Sequence, residues 1–137
     1  MKKPNRWVAV DASCIGNPGP MEYKIVDIAS KKVLFHSPVF PEWTNNLGEF
    51  LAVVTALHLC VNWKIKTDII YSDSETALAW VKSKKIKTTL AYTEKTKELL
   101  AKVQDATVWL KTHQFSVKLV KWETEMWGEI PADFGRK

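Results

Sequence analysis

The chain has 137 residues, of which 46% are hydrophobic, and it carries a formal net charge of +5 at pH 7. This length predicts a single domain over residues 1–137, and the apolar fraction excludes a disordered chain. No apolar run reaches the roughly 20 residues that span a bilayer, and two cysteines cannot make a disulfide framework. The start MKKPNRW has no apolar stretch after its lysines, so we expect no secretory signal there. We therefore expect a cytoplasmic monomer without a membrane partner, whose basic charge suits either a polyanionic ligand or ordinary solubility.

The first half of the sequence predicts three strands and a helix. Residues 7–10 form a short β-rich run, and residues 23–28 and 32–40 read as two further strands of an antiparallel meander. Between residues 46 and 61 the period changes, and apolar side chains recur at the i, i+3, i+4, i+7 spacing of a helix that buries one face.

The second half alternates strands and helices. A β-rich run covers residues 68–72, helices are predicted over 74–82 and 93–112, a last strand over 117–122, and a short terminal helix over 126–134. A meander followed by alternating elements implies a five-stranded mixed sheet, with three antiparallel strands and then parallel ones, flanked by helices. The sequence therefore predicts one α/β domain.

Acidic side chains occupy equivalent places in these predicted elements. Asp11 ends the first strand, Asp73 follows the fourth, and Glu49 lies in the first turn of the first helix. If those two strands are parallel neighbours, their carboxyl ends meet at one edge of the sheet, where α/β proteins place their sites. Asp133 comes from the terminal helix, with Glu129 four residues earlier on the same face.

Two interpretations of these acids are open. Taken singly, each has a local role, since Glu49 can close a capping box with Asn46 and Asp73 can cap a helix. Asp11 can likewise serve the following turn, and Asp133 can be a solvated surface acid. Taken together, converging carboxylates repel one another unless a cation neutralises them, and oxygen ligands without a His/Cys cage suit Mg²⁺ or Mn²⁺. Such a site predicts two-metal phosphoryl chemistry.

Four stretches carry a family resemblance: DASCIGNPGP from Asp11, TNNLGEF from Thr44, YSDSETA from Tyr71 and WGEIPADFGRK from Trp127. In order and spacing they resemble the motifs of type 1 ribonuclease H, over essentially the whole chain, and the predicted element order is similar to that fold. The ending resembles a bacterial subgroup with a glutamate where other members carry a histidine loop. The resemblance implies an endonuclease that hydrolyses the RNA strand of an RNA/DNA hybrid, leaving 5′-phosphate and 3′-hydroxyl ends.

The resemblance also implies site residues. The metal-binding carboxylates are Asp11, Glu49, Asp73 and Asp133. By this resemblance Asp11 would bridge two Mg²⁺ ions, for which Mn²⁺ would substitute, and Glu129 matches an auxiliary catalytic acid of the subgroup. The implied substrate-binding residues are Ser13, Gly16, Asn17, Thr44, Asn45, Asn46, Glu75, Trp80, Thr88 and Thr89.

These substrate residues divide by the strand they contact in the family. The RNA strand differs from DNA in its 2′-hydroxyls. The family positions that contact this strand are matched here by Gly16, Asn17, Asn45 and Asn46. Trp80 matches an aromatic residue that packs on DNA sugars, although core packing is the alternative for this tryptophan. The subgroup's pocket for a DNA phosphate has its counterpart here in Thr44, Asn46, Thr88 and Thr89.

Two positions depart from the family pattern. Ala12 stands where most members have glycine, and Glu75 stands where glutamine is common. A carboxylate cannot donate to a base edge as an amide does, so base contact, substrate affinity or sequence preference depends on Glu75. Three rival functions stay open: another nuclease or strand-transfer enzyme of the superfamily, a non-catalytic hybrid-binding module, and a metal-binding structural domain.

Overall fold

Six strands form one mixed sheet in this computed structural model, which describes residues 2–15, 19–87, 92–94 and 96–134 apart from the side chains of residues 42 and 43. The strands are β1 (Val8–Cys14), β2 (Gly19–Asp27), β3 (Val33–His36), β4 (Phe40–Trp43), β5 (Ile69–Ser72) and β6 (Lys118–Lys121). Their order across the sheet is β3-β2-β1-β5-β6, and β4 also pairs with β2.

Antiparallel and parallel pairing meet at β1. This strand pairs with β2 in antiparallel register from Val8 opposite Asp27 to Cys14 opposite Met21. On its other side β1 pairs in parallel with β5, and β5 pairs in parallel with β6. The predicted mixed sheet is therefore confirmed, with antiparallel strands followed by parallel ones.

Three of the four described helices cover one face of the sheet. The helices are α1 (Asn45–Val61), α2 (Glu75–Ser83), α3 (Lys97–Thr112) and α4 (Thr124–Trp127). Side chains alternate across β1, so Val8, Val10 and Ala12 join the core formed with α1, α2 and α3. None of the helices within the described residues is long and apolar enough to cross a membrane.

The opposite face of the sheet holds a second, smaller core. Ala9 of β1 and Tyr71 of β5 pack there with Trp122, Trp127 and Ile130. Trp122 is fully buried, and its indole Nε1–H donates to the Gly128 carbonyl at 2.9 Å. The segment after β6 is thereby fixed against the sheet face onto which Asp11 projects by alternation.

Several element bounds differ from the sequence prediction. Residues 32–40 were expected to form one strand, but the structure has β3 and β4, with Pro38 between them. Proline lacks an N–H for the ladder, so the chain leaves the sheet there and returns. The first strand extends beyond Val10 to Cys14, because β2 continues to pair with it. The helix predicted over 93–112 begins only at Lys97.

Candidate active site

Asp11 lies inside β1 rather than at its end, which corrects the sequence prediction. Its side chain is fully buried, and Lys24 of β2 is its partner across the antiparallel ladder. The parallel ladder to β5 consists of Val8 opposite Ile70 and Ala9 opposite Tyr71. Asp11 thus lies two residues beyond the last paired position of the parallel ladder, where β1 and β5 separate.

Asp73 occupies the corresponding place after β5, two residues beyond Tyr71. The cap of the following helix is Ser74, whose side-chain oxygen accepts a 3.1 Å hydrogen bond from the Ala77 amide. The alternative in which Asp73 serves only as a helix cap is therefore wrong. Its side chain is only partly buried, whereas that of Asp11 is inaccessible.

Glu49 reaches the same place from α1. The helix is capped by Thr44, whose side-chain oxygen accepts from the Leu47 amide at 3.4 Å, so a capping box between Asn46 and Glu49 is not formed. Glu49 is 2% exposed, and its Oε1 accepts a 3.3 Å hydrogen bond from the Ala12 amide. This bond joins the helix to β1 beside Asp11.

Ala12 contributes through its backbone, because its methyl group lies in the core between the sheet and the helices. The family position usually held by glycine therefore accommodates a methyl group on the side away from the Asp11 carboxylate. Gly48 allows the close approach of α1 to the sheet. A Cβ placed on Gly48 would lie 2.5 Å from Met21 Sδ, within the fully buried part of β2.

Asp11, Glu49 and Asp73 form one cluster, here called the acid cluster. Each offers a carboxylate oxygen, and these oxygens lie within 4.8 Å of one another. Burial raises the pKa of Glu49 well above its usual value, and the nearby charges of Asp11 and Asp73 raise it further. The Ala12 amide opposes this shift by stabilising the carboxylate.

The acid cluster fits a divalent cation. Glu49 Oε2 is buried and has no hydrogen-bond partner among the residues that the structure describes. A buried carboxylate oxygen without a donor is costly unless a cation neutralises it. The donors are all hard oxygens, with no imidazole or thiolate in the group, which suits Mg²⁺ or Mn²⁺ rather than zinc.

Asp133 and Glu129 do not lie on one helix, which corrects the prediction of a terminal helix over 126–134. The described helix α4 ends at Trp127, where Gly128 has a φ of +82°, and Pro131 follows in a turn. Glu129 is exposed, and the Asp133 amide donates to the Ile130 carbonyl at 2.9 Å. Asp133 is partly buried and is not a member of the 4.8 Å acid cluster.

The family model of RNase H matches residues 4–127. The chain belongs to the RNase H family. Similar solved structures include the N-terminal RNase H domain of a Mycobacterium tuberculosis protein fused to maltose-binding protein, with 20% identity and a TM-score of 0.48 over 85% of this chain and 86% of that one. LC11-RNase H1 in complex with an RNA/DNA hybrid has 22% identity and a TM-score of 0.46, over 83% and 80%. RNase H1 from the halophilic archaeon Halobacterium salinarum has 16% identity and a TM-score of 0.44, over 83% and 80%.

Three candidate substrate residues of this RNase H domain are close in sequence to acids of the cluster. Asn45 and Asn46 are exposed in the first turn of α1, directly after the capping Thr44. Ser13 is buried in β1, two residues after Asp11. Four candidates fall outside the described residues, namely Gly16, Asn17, Thr88 and Thr89.

Trp80 and Glu75 are both on α2 of the RNase H domain. Trp80 is partly buried, and its ring meets the Phe50 ring edge-on at a centroid distance of 6.2 Å. Phe50 follows Glu49 directly, so Trp80 packs on the helix that carries this acid. Glu75 is exposed and accepts a 2.9 Å hydrogen bond from Lys121 of β6. Trp80 therefore has a packing role in the fold, whatever its contact with nucleic acid.

Sequence reasoning missed a polar group on the sheet face of the RNase H domain that carries Asp11. It consists of Glu22 and Lys24 of β2 and His36 of β3, where Lys24 and His36 are ladder partners. His36 Nε2 lies 2.9 Å from Glu22 Oε1. The alternation of residues 22–26 indicates that Glu22 and Lys24 lie on the same face of β2. Which residues of β1 share that face cannot be read from the sequence, because it depends on the strand register.

Proposed function

We propose that this protein is an endonuclease that hydrolyses the RNA strand of RNA/DNA hybrids by two-metal-ion catalysis, leaving 5′-phosphate and 3′-hydroxyl ends. The observation that carries the proposal is the acid cluster, in which the buried Asp11 and Glu49 and the partly buried Asp73 have carboxylate oxygens within 4.8 Å of one another, in a chain of the RNase H family. A structural acid has no reason to be buried beside two others, because their mutual repulsion destabilises the fold.

The acid cluster would hold two Mg²⁺ ions, or Mn²⁺ as a substitute, together with Asp133. When bound, these ions would supply an activated water and stabilise the charge on the leaving oxygen. The protein's own contribution is to fix the ligands before substrate arrives. The Ala12 amide orients Glu49, and the rigid ladder between β1 and β2 holds Asp11. Burial of both acids removes competing water and strengthens their attraction for a cation.

Hybrid recognition is proposed for the residues beside the acid cluster. Asn45 and Asn46 are exposed short amides that suit a shallow minor groove with 2′-hydroxyls. A similar protein, LC11-RNase H1, was solved with a hybrid bound, which supports the choice of this substrate. The proposal also includes Ser13, Gly16, Asn17, Thr44, Glu75, Trp80, Thr88 and Thr89, and it gives Glu129 an auxiliary role in catalysis.

The test is a cleavage assay with strand-labelled substrates. The purified protein would be incubated with an RNA/DNA hybrid, single-stranded RNA, double-stranded RNA and double-stranded DNA, each with Mg²⁺ or with EDTA. The expected result is metal-dependent cutting of the RNA strand of the hybrid alone. Product ends are read by whether the downstream fragment is a substrate for a 5′-phosphate-dependent exonuclease.

Three results would contradict the proposal in whole or in part. Equal cutting of double-stranded DNA would indicate another nuclease of the superfamily. Tight binding of a hybrid that survives in both Mg²⁺ and Mn²⁺ would indicate a non-catalytic binding module. Cutting that persists in EDTA would remove the metal mechanism while leaving the substrate class.

A further inference from the structure

We propose that Lys24 and Phe134 form a clasp that positions Asp133, with Lys24 acting as a positioning residue. The inference rests on the proposed function, in which Asp133 is a metal ligand. Asp133 lies outside the 4.8 Å acid cluster, so its approach to a bound ion depends on what holds the backbone on either side of it.

The contacts of Phe134 define the clasp. Lys24 Nζ lies 4.6 Å from the centroid of the Phe134 ring, which is the range of a cation–π interaction. The His36 ring meets the same ring at 5.7 Å with an interplanar angle of 67°. Phe134 is therefore held by two ladder partners of the sheet, Lys24 and His36.

The sheet register connects the clasp to the acid cluster. Lys24 is the ladder partner of Asp11, so its side chain leaves the sheet on the same face and in the same row. Phe134 consequently lies over the row of side chains that begins with the buried carboxylate of the acid cluster. A displacement of the Phe134 ring along this row would carry its neighbour Asp133 toward or away from Asp11.

Glu22 holds the His36 ring that contacts Phe134. Glu22 is 9% exposed and precedes Lys24 by two residues on the same side of β2. Its Oε1 lies 2.9 Å from His36 Nε2, which fixes the orientation of the His36 ring against Phe134. The ring of Phe134 thus meets a prearranged surface rather than two freely rotating side chains.

The other side of Asp133 is anchored separately. Ala132 is fully buried and Ile130 is 1% exposed, both in the core that contains Trp122 and Trp127. The Asp133 amide closes a turn onto the Ile130 carbonyl at 2.9 Å. Asp133 therefore lies between a core anchor on its amino side and the Phe134 clasp on its carboxyl side. Loss of either anchor would leave the carboxylate with a wider range of positions.

The experiment measures Mn²⁺ binding to the protein without nucleic acid, by calorimetry or by the EPR signal of free Mn²⁺. Lys24→Met keeps most of the length of the side chain but removes its charge, and Phe134→Leu removes the ring. Each is expected to weaken binding about 3- to 10-fold, whereas Lys24→Arg, which keeps a cation over the ring, is expected to retain wild-type affinity. The matched control is Lys102→Met, which removes a cation lying 5.8 Å from the Phe40 ring.

A second arm tests whether the effect passes through Asp133. Asp133→Asn is expected to weaken Mn²⁺ binding, and adding Lys24→Met to it is expected to change nothing further. Melting temperatures in EDTA should agree among the variants, which separates positioning from loss of fold. An unchanged affinity in Lys24→Met, a further loss in the double variant, or no effect of Asp133→Asn would each overturn the proposal. Because this arm uses no hybrid, it remains decisive even if the protein cuts none.

Discussion

Lys121 Nζ donates a 2.9 Å hydrogen bond to Glu75 Oε1, which joins the edge strand β6 to the first turn of α2. The Glu75 side chain is 77% exposed and that of Lys121 is 38% exposed, so the pair lies on the surface. It contributes little to stability there, because water and salt screen exposed ion pairs. The pair matters for the local charge, because the negative charge of Glu75, a candidate substrate contact, is offset by the positive charge of Lys121 from β6.

Glu75→Gln should strengthen hybrid binding. The change removes a negative charge from the proposed nucleic-acid face and releases Lys121 to meet a phosphate. We expect a several-fold gain in affinity at low salt. The slope of log K against log[salt] should become steeper by the amount that about one additional phosphate contact contributes. Glu98→Gln is the matched control, since Glu98 is the exposed acid in the first turn of α3. An equal gain in both variants would mean that net charge, rather than this pair, sets the affinity.

Asp73→Asn should abolish cleavage while preserving fold and hybrid binding. A neutral amide is a poor ligand for a divalent ion, so we expect the single-turnover rate to fall by at least about 100-fold. Asp68→Asn, which lies just before the opposite end of β5, should leave the rate unchanged. If Asp73→Asn kept most of its activity in Mg²⁺, the two-metal assignment would be wrong.

Glu49→Gln should make the metal-free protein more stable at neutral pH. The raised pKa of Glu49 means that, above its usual value of 4.5, the unfolded chain loses this proton before the folded one does. The free energy of unfolding therefore falls as pH rises from 4.5 through the folded pKa, and glutamine removes that decline.

The measurement is denaturant unfolding in EDTA between pH 4.5 and 8, for the wild type and Glu49→Gln. The difference should be small at the acidic end and grow toward neutral pH. Addition of Mg²⁺ should stabilise the wild type, by about 2.7 kcal/mol at a concentration of 100 times Kd, and should stabilise the variant much less. If the difference in unfolding free energy between the wild type and Glu49→Gln stayed constant with pH, Glu49 would not be the group that titrates.

Gly48→Ala should destabilise the fold, although alanine is the better helix former. Its Cβ would lie 2.5 Å from Met21 Sδ, and Met21 is fully buried. Overpacking costs about 1–3 kcal/mol and the helix propensity gain offsets about 1 kcal/mol, so we expect a net loss of up to about 2 kcal/mol. Chemical denaturation of Gly48→Ala, Met21→Ala and the double variant would reveal the coupling. Strict additivity would contradict a direct clash.

The sequence predicted the order of elements, apart from the division of residues 32–40 into β3 and β4, because the hydrophobic periods of α1 and α3 are strong and local. It misplaced the end of β1, because the apolar run stops at Val10 while pairing with β2 continues through Asp11 to Cys14. Pairing between strands is a tertiary interaction, so it is not visible in the hydrophobic pattern of β1 alone. The terminal segment was misread for a related reason, since Gly128 and Pro131 end the helix despite the apolar residues around them.

The three-acid cluster was accessible to sequence reasoning, because the ends of parallel strands meet at one edge. The alternative of local capping could be excluded only by the structure, in which Thr44 and Ser74 cap α1 and α2. The Lys24 contact with Phe134 had no sequence signal at all. It requires the register of β2 against β1 and the path of the chain after α4, and spacing specifies neither.

The parallel ladder between β1 and β5 is short, and it joins position 8 to position 70. Such pairing closes a long stretch of chain and has a high contact order, so we expect it to form late in folding. Asp73 joins Asp11 and Glu49 only after that closure, and its repulsion with them then begins. A divalent cation would then act on the native side of the folding barrier, slowing unfolding while leaving the refolding rate almost unchanged. Metal concentration would in that case set how long a folded molecule persists, not how quickly it forms.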